Sequence, residues 1–220
     1  MPDPTVILTR PKAASDRVAA ALGGIPTLIS PVTEIVGTGH SVDLAQVAGV
    51  ILTSANAVPF LPDLTGVPVY CVGARTAEAS RGDVRLIAMD ADDLITRIDA
   101  TGPLLHAHGR ETRGSIAKRL RSAGIETIYA VVYEQKPVNL TPEAQTCIEG
   151  DAPTILPIWS PRSAERIAEQ IVKVGAGLHV ITLSPAVADA WAKATGGASE
   201  ICAQPTGDEM IARIVAAASR

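Results

Sequence analysis

Apolar residues in this chain come as runs of three to six positions, each followed by a polar turn and then by a stretch with apolar positions three and four apart. The runs predict strands over 5–8, 26–29, 50–52, 67–72, 85–88, 103–107, 128–132, 154–158, 179–183 and 201–203. The stretches between them predict helices over 13–22, 42–47, 94–98, 116–122, 143–148 and 164–172, with others opening near Ala55, Gly73, Ser184 and Pro205. Pro59 or Pro62 cuts short the helix near Ala55, and Asp92 or Asp93 caps the one at 94. Two segments, 31–36 and 133–138, read as extended chain. Strands alternating with helices indicate layers built on parallel sheets.

Residues 49–58 set the pattern for the rest. Val50, Ile51 and Leu52 suit a parallel strand covered on both faces, and Thr53, Ser54 and Asn56 place hydroxyl and amide groups where that strand ends. In open α/β sheets ligands sit outside the carboxyl ends of the strands, where the next helix offers unpaired N–H groups to an anion. Taken alone, Ser54 or Asn56 is a helix cap. Repetition argues for more, because Arg10, Arg75, Arg110 and Arg162 each fall just after an apolar run, in the turn before a helix. Guanidinium groups placed there suit carboxylate or phosphate ligands.

Composition narrows the class. A length of 220 residues allows one large domain or two small ones, and 47% hydrophobic but only 3% aromatic residues require an aliphatic core. The formal charge of −4 provides no basic field for nucleic acid. No apolar run approaches the roughly 20 residues that span a bilayer. The start at Met1, Pro2, Asp3 and Pro4 lacks the basic and apolar regions of an export signal, so a cytoplasmic protein is expected. Cys71, Cys147 and Cys202 are odd in number and widely spaced, which fits reduced thiols. His106 and His108 would share one strand face, but no further ligands accompany them, so no metal is expected.

The units repeat. Ile7-Leu-Thr-Arg10 parallels His106-Ala-His-Gly-Arg110, each with Gly-Ile behind it; Ile51-Leu-Thr-Ser54 parallels Pro157-Ile-Trp-Ser160; and Cys71-Val-Gly73 parallels Thr182-Leu-Ser184. The order of the copies implies two similar α/β domains, one inserted in the other. The expected division is 1–30 plus 139–220 as a discontinuous domain and 38–133 as the inserted one, with 31–37 and 134–138 as a two-stranded β-ladder joining them. Two crossings form a hinge over which the domains open and close on a cleft.

With these motifs in order the sequence resembles uroporphyrinogen-III synthase. The resemblance covers essentially the whole chain and rests on Ile7-Leu-Thr-Arg-Pro11, Leu52-Thr-Ser-Ala-Asn-Ala-Val58, Val72-Gly-Ala-Arg-Thr-Ala77, Val131-Val-Tyr-Glu134, Trp159-Ser-Pro-Arg-Ser163, Leu183-Ser-Pro185 and Pro205-Thr206. It implies that family's two-domain fold with the active site in the intervening cleft. It also implies its reaction, the cofactor-free cyclisation of hydroxymethylbilane with inversion of the terminal pyrrole ring and loss of water. The absence of a Gly-x-Gly-x-x-Gly and of a phosphate-loop lysine motif agrees with a chemistry that needs no cofactor. The only partner the resemblance implies is the tetrapyrrole substrate, beyond a transient contact with the preceding enzyme of the pathway, and nothing in the sequence demands more than a monomer.

The resemblance also assigns residues. Tyr133 matches the family tyrosine that assists departure of the hydroxyl group, and a phenol does this by hydrogen bonding more than by full proton transfer. Thr76 matches a threonine of the cleft turn, with helix capping as its structural alternative. Carboxylates of the substrate would be held by Arg10, Arg75, Arg110 and Arg162 and by the turns carrying Ser54, Ala55 and Asn56, Gly73, Gly109, Ser160 and Pro161, and Ser184. The chain departs from common family patterns at His106-Ala-His108, to which no role falls, and at Ser184-Pro185. A hinged binding or regulatory protein for an anionic ligand, without turnover, is the competing reading. Serine hydrolase chemistry is disfavoured, since no Gly-x-Ser-x-Gly is present.

Overall fold

A computed structural model describes residues 3–111 and 115–219. Of the positions singled out by sequence, Met1, Pro2, Thr112 and Arg113 lie outside the described residues. The chain divides into two compact units, Met1–Glu34 with Lys136–Arg220, and Ile35–Gln135.

In chain order the elements are β1 (Thr5–Leu8), α1 (Lys12–Ala21), β2 (Thr27–Ile29), β3 (Thr33–Gly37), β4 (Gly49–Leu52), a 3-10 helix (Ala55–Phe60), β5 (Pro68–Val72), α2 (Ala74–Ser80), β6 (Asp83–Ala88), α3 (Ala91–Arg97) and β7 (Leu104–Gly109). Then come α4 (Ile116–Ser122), β8 (Thr127–Pro137), α5 (Pro142–Glu149), β9 (Thr154–Ile158), α6 (Pro161–Ala168), β10 (Leu178–Thr182), α7 (Pro185–Thr195), β11 (Glu200–Ile201) and α8 (Gly207–Ala218).

The first unit is built on a five-stranded sheet of order β11-β10-β9-β1-β2, parallel throughout. Its central strands β1, β9 and β10 are largely apolar because helices cover both faces. On one side Ile7, Leu156, Ile158 and Val180 pack with Ala144 and Ile148 of α5, Ala164 and Ile167 of α6, and Trp191 of α7. On the other, Val6, Leu8, Ile155 and Ile181 pack with Val18 of α1 and with Met210 and Ile214 of α8. Thr141, Ser160 and Thr206 cap α5, α6 and α8 with their hydroxyl oxygens, and Gly196 ends α7 at φ +72°.

The second unit carries the sheet of order β3-β8-β7-β4-β5-β6, in which β8 to β6 are parallel. Val50, Leu52, Val69, Cys71, Leu105, Ala107 and Val132 line one face beneath the 3-10 helix and α2, and Ile51, Tyr70 and Leu104 line the other beneath α3 and α4. Without β3 the order β8-β7-β4-β5-β6 has the same form as β2-β1-β9-β10-β11. The pairs β1/β7, β9/β4 and β10/β5 that this alignment makes equivalent are those whose sequences parallel one another.

Three local expectations give way to the structure. Residues 42–47 form no helix: Asp43 closes a turn by accepting from the Ala45 N–H, and Val42, Leu44 and Val47 reach the core from a loop. The helix at 94 begins at Ala91, and its cap is Asp90, which accepts from the N–H groups of Asp92 and Asp93. Residues 127–137 form one eleven-residue strand where a strand and a separate extended segment were expected. The strand continues through Tyr133 past a register shift, and the Tyr133 carbonyl accepts from the Arg110 N–H.

Candidate active site

In the first unit the chain runs from β1 to β2 on one side and from β9 through β10 to β11 on the other, so the winding reverses between β1 and β9. Such a reversal leaves a crevice outside the strand ends. Arg10 lies two residues beyond β1, with its guanidinium carbon 5.1 Å from the centre of the Trp159 ring, the first residue after β9. The indole N–H of Trp159 is buried and has no partner among the described residues. Ser160 caps α6 by accepting from the Ser163 N–H at 3.1 Å, and its hydroxyl also bonds that of Ser163 at 2.8 Å. Pro161 fills the first helical position, where a missing N–H costs nothing. Ser184 stands at the cap of α7 without making a side-chain cap bond.

Arg162 is exposed in the first turn of α6 itself, one step later than the expected turn before the helix. One helical turn on, Arg166 is buried and bonds neutral oxygens, the Thr33 hydroxyl and the Val32 carbonyl. Burial first, and then the charge of Arg162, lower its pKa from the ordinary arginine value.

The second unit repeats this arrangement, with its reversal between β4 and β7. Ser54 follows β4 and accepts from the Asn56 N–H at 3.2 Å as the cap of the 3-10 helix; Ala55 and Asn56 form that helix's first turn. Gly73 follows β5 at φ +80°, a conformation that disfavours any side chain, and it serves as the cap of α2. Arg75 is exposed within α2, again one step past the expected turn. Thr76 is buried and is not the cap, since Gly73 holds that place.

At β7 and β8 the contacts are closest. Gly109 pairs with Tyr133 across the strands. A Cβ on Gly109 would stand 2.5 Å from Cζ of Tyr133 and 2.9 Å from its hydroxyl oxygen, so the phenol lies directly on the glycine backbone. On its other side the ring stacks with Phe60, with centroids 6.3 Å apart and planes 24° from parallel. Phe60 in turn lies on Gly37, where a Cβ would meet its ring at 2.7 Å. Tyr133 is 6% exposed. Arg110 donates through Nε to Glu134 at 2.8 Å, so its charge is already partly matched.

Thus Arg10, Ser160, Pro161, Arg162 and Ser184 gather at the strand ends of the first unit. Ser54, Ala55, Asn56, Gly73, Arg75, Thr76, Gly109, Arg110 and Tyr133 gather at those of the second. Trp159, Phe60 and Glu134 complete these surroundings, and none was singled out as a site residue from sequence. Phe60 carried a usable signal, being the only phenylalanine of a chain poor in aromatics.

The histidine pair has a different environment. His106 is 2% exposed and its Nε2 is buried without a partner among the described residues. Burial first, and the neighbouring His108 second, depress its pKa from 6.5 to about 4. The unfolded chain therefore binds this proton more readily than the folded one. Stability is fully present above pH 6.5 and falls as the pH drops toward 4, by about 3 kcal/mol in all. Denaturant melts of the wild type and of His106→Leu across that range measure the difference: the variant shows a loss smaller by about that amount. Equal losses in both would place the acid sensitivity elsewhere.

Cys71, Cys147 and Cys202 are free thiols, and burial pushes Cys71 up to about 11. Among the described residues no cluster of three or more His, Cys, Asp or Glu is placed to hold a metal ion, and no helix is long and apolar enough to cross a membrane.

Two doubly wound sheets, each presenting hydroxyls, helix-start N–H groups and guanidinium groups at its strand ends, define a duplicated α/β protein suited to a carboxylate-bearing ligand. The family model for uroporphyrinogen-III synthase HemD matches residues 15–212, and the chain belongs to that family. Among solved structures it is similar to uroporphyrinogen-III synthetase from Helicobacter pylori, with a TM-score of 0.67 at 19% identity, over 98% of this chain and 99% of that one. It also matches uroporphyrinogen III synthase from the extremely thermophilic bacterium Thermus thermophilus, with a TM-score of 0.42 at 16% identity, over 98% of each chain. No curated protein matches the sequence.

Proposed function

We infer that this protein carries out the reaction of its family, the cyclisation of hydroxymethylbilane to uroporphyrinogen III with loss of water and inversion of the terminal pyrrole ring. It is a cyclising hydro-lyase of tetrapyrrole biosynthesis. The observation that carries this reading is the family match over residues 15–212. The strand-end chemistry of both units supports it, since a linear tetrapyrrole with four acetates and four propionates needs many anion-binding turns and no redox or metal group.

The reaction begins as the terminal hydroxymethyl carbon loses hydroxide, leaving an azafulvenium cation; the proton released when the closed macrocycle regains aromaticity makes the net loss one water. The substituted carbon of the last ring attacks that cation, a spiro intermediate forms, and fragmentation with recombination closes the macrocycle with the ring inverted. In this scheme the Tyr133 hydroxyl donates a hydrogen bond to the departing oxygen. Its ring is fixed between Phe60 and Gly109, so the donor is positioned before substrate arrives. Thr76 lies with Gly73 and Arg75 at the end of β5 and assists in the same turn. Arg10, Arg75, Arg110 and Arg162, with the turns at Ser54–Asn56, Gly73 and Gly109 and the hydroxyls of Ser160 and Ser184, hold carboxylates. Folding the bilane so that the substituted carbon is attacked is the main service, because the free cation closes without inversion. The protein works as a cytoplasmic monomer and receives its unstable substrate in transient contact with the enzyme that makes it.

Turnover separates this reading from simple binding. Hydroxymethylbilane supplied to the full chain disappears faster than it cyclises in buffer, in proportion to protein concentration. Stabilisation of the protein by the bilane without accelerated consumption would overturn the reading. Because many donors share one polyanion, Arg10→Ala, Arg75→Ala, Arg110→Ala or Arg162→Ala each lowers kcat/KM by roughly 3- to 30-fold. Steady-state kinetics of the four variants check this, and complete loss in Arg75→Ala alone would contradict a shared cradle.

A further inference from the structure

A pocket of about 170 Å³ lies beneath α4 on the face of the second unit's sheet, and its lining shares no described residue with the strand-end turns. Its wall is a row of rings: His106 and His108 from β7 have centroids 4.7 Å apart, and Tyr129 from β8 follows 5.9 Å beyond His108. Ile116 of α4 closes the apolar side, while Lys118 and Arg121, three residues apart on one helical face, bring positive charge to the rim. Tyr129 is 62% exposed, so this pocket opens to solvent. Among the described residues no carboxylate lines it.

Three observations call for an occupant. First, His106 is nine-tenths or more buried, lines this pocket and leaves a ring nitrogen unpartnered among the described residues, which costs about 1–3 kcal/mol and which an aliphatic residue would avoid. Second, Lys118 has no ion-pair partner among the described residues. Third, the space has the size of one ring, since an apolar cavity of about 150 Å³ holds benzene. His108 is oriented for its part: Nδ1 lies 2.7 Å from the Gly109 carbonyl, which only accepts, so Nδ1 carries the proton and neutral His108 keeps its Nε2 lone pair.

We propose that this pocket is a binding site for a small flat monoanion, an aromatic or heteroaromatic carboxylate, whose ring lies against His106, His108 and Tyr129 and whose carboxylate meets Lys118 and Arg121. Arg121 keeps one nitrogen on the Thr127 carbonyl, which holds its guanidinium in place and leaves its remaining N–H groups for the ligand. A neutral His106, with its pKa lowered to about 4, provides a hydrogen-bonding ring without adding a buried charge. This inference does not depend on the cyclisation reaction and is tested without it.

Benzoate is the probe, with benzamide as its neutral isostere and inorganic phosphate as an anion without a ring. Titrated into the nitrogen-15-labelled full chain, benzoate shifts the imidazole resonances of His106 and His108 along one saturable curve, with Kd of about 1 mM or below, as the size of the ligand allows. Lys118→Ala weakens binding at least about 5-fold, and benzamide binds at least about 10-fold more weakly than benzoate. His106→Leu replaces the imidazole with an aliphatic side chain and weakens binding; Lys118 is exposed, so its variant tests the site even where a core substitution perturbs folding. Shifts that never saturate, saturable binding indifferent to Lys118→Ala, or phosphate binding as tightly as benzoate would each overturn the proposal.

Discussion

Tyr133→Phe lowers the turnover of hydroxymethylbilane about 100-fold while KM stays within about threefold. The substitution removes one oxygen and keeps the ring, so the stack with Phe60 and the contact with Gly109 survive. What is lost is the hydroxyl proposed to stabilise the departing oxygen, an interaction needed in the transition state and hardly in the bound ground state. Carboxylate binding, spread over many turns, is untouched. Pre-steady-state and steady-state kinetics of the variant separate the two parameters. A variant with wild-type turnover would reduce Tyr133 to a packing residue of β8.

Gly109→Ala has the second large effect, and it acts through Tyr133. The added methyl would stand 2.5 Å from Cζ, 2.6 Å from Cε2 and 2.9 Å from the hydroxyl oxygen of the phenol, distances that real atoms do not keep. The ring is 6% exposed and backed by Phe60, so relief requires that it leave its place or that β7 and β8 separate. Overpacking of this kind costs about 1–3 kcal/mol of stability. Turnover is expected to fall by about the same 100-fold as in Tyr133→Phe, since in the proposed mechanism the displaced hydroxyl no longer meets the departing oxygen. The double variant Gly109→Ala, Tyr133→Phe is then no slower than either single one, because both remove the same interaction. Multiplying losses in the double variant would show that Gly109 acts independently of the phenol.

The fold was largely legible because buried parallel strands are unambiguous in sequence. Residues 154–158 are apolar at nearly every position and form β9 with the same bounds. The equivalence of β4 with β9 and of β5 with β10 could be seen in their matching turn residues before the strand order was known. Reading failed where a short pattern had two solutions. The apolar spacing of Val42, Leu44 and Val47 fits a helix, yet Asp43 caps a tight turn, and six residues are too few for helix propensity to prevail. The three polar residues after Tyr133 looked like a departure from the strand, but the strand continues through them with Glu134 and Gln135 half-buried.

At the candidate site, the strand-end turns could be found because they sit at a fixed place relative to apolar runs. Ser54 and Ser160 do cap their helices, as the simpler reading held, and Ser160 also bonds the Ser163 hydroxyl. The Phe60–Tyr133–Gly109 contact was not legible, since it joins three elements distant in sequence and depends on the register of β7 against β8, which shifts between His108 and Gly109. Nor could sequence show that Arg110 meets Glu134 or that Arg10 lies over Trp159. These are tertiary facts: Arg110 meets Glu134 and Arg10 lies over Trp159, while Arg75 and Arg162 stand in the first turns of helices.

The isomer of the product tests the central claim most directly. Hydroxymethylbilane is incubated with the full chain, the products are oxidised to porphyrins, and the type I and type III isomers are resolved chromatographically. The account predicts the type III isomer as the dominant product, formed faster than the spontaneous reaction. Formation of the type I isomer alone, at the rate seen without protein, would contradict it.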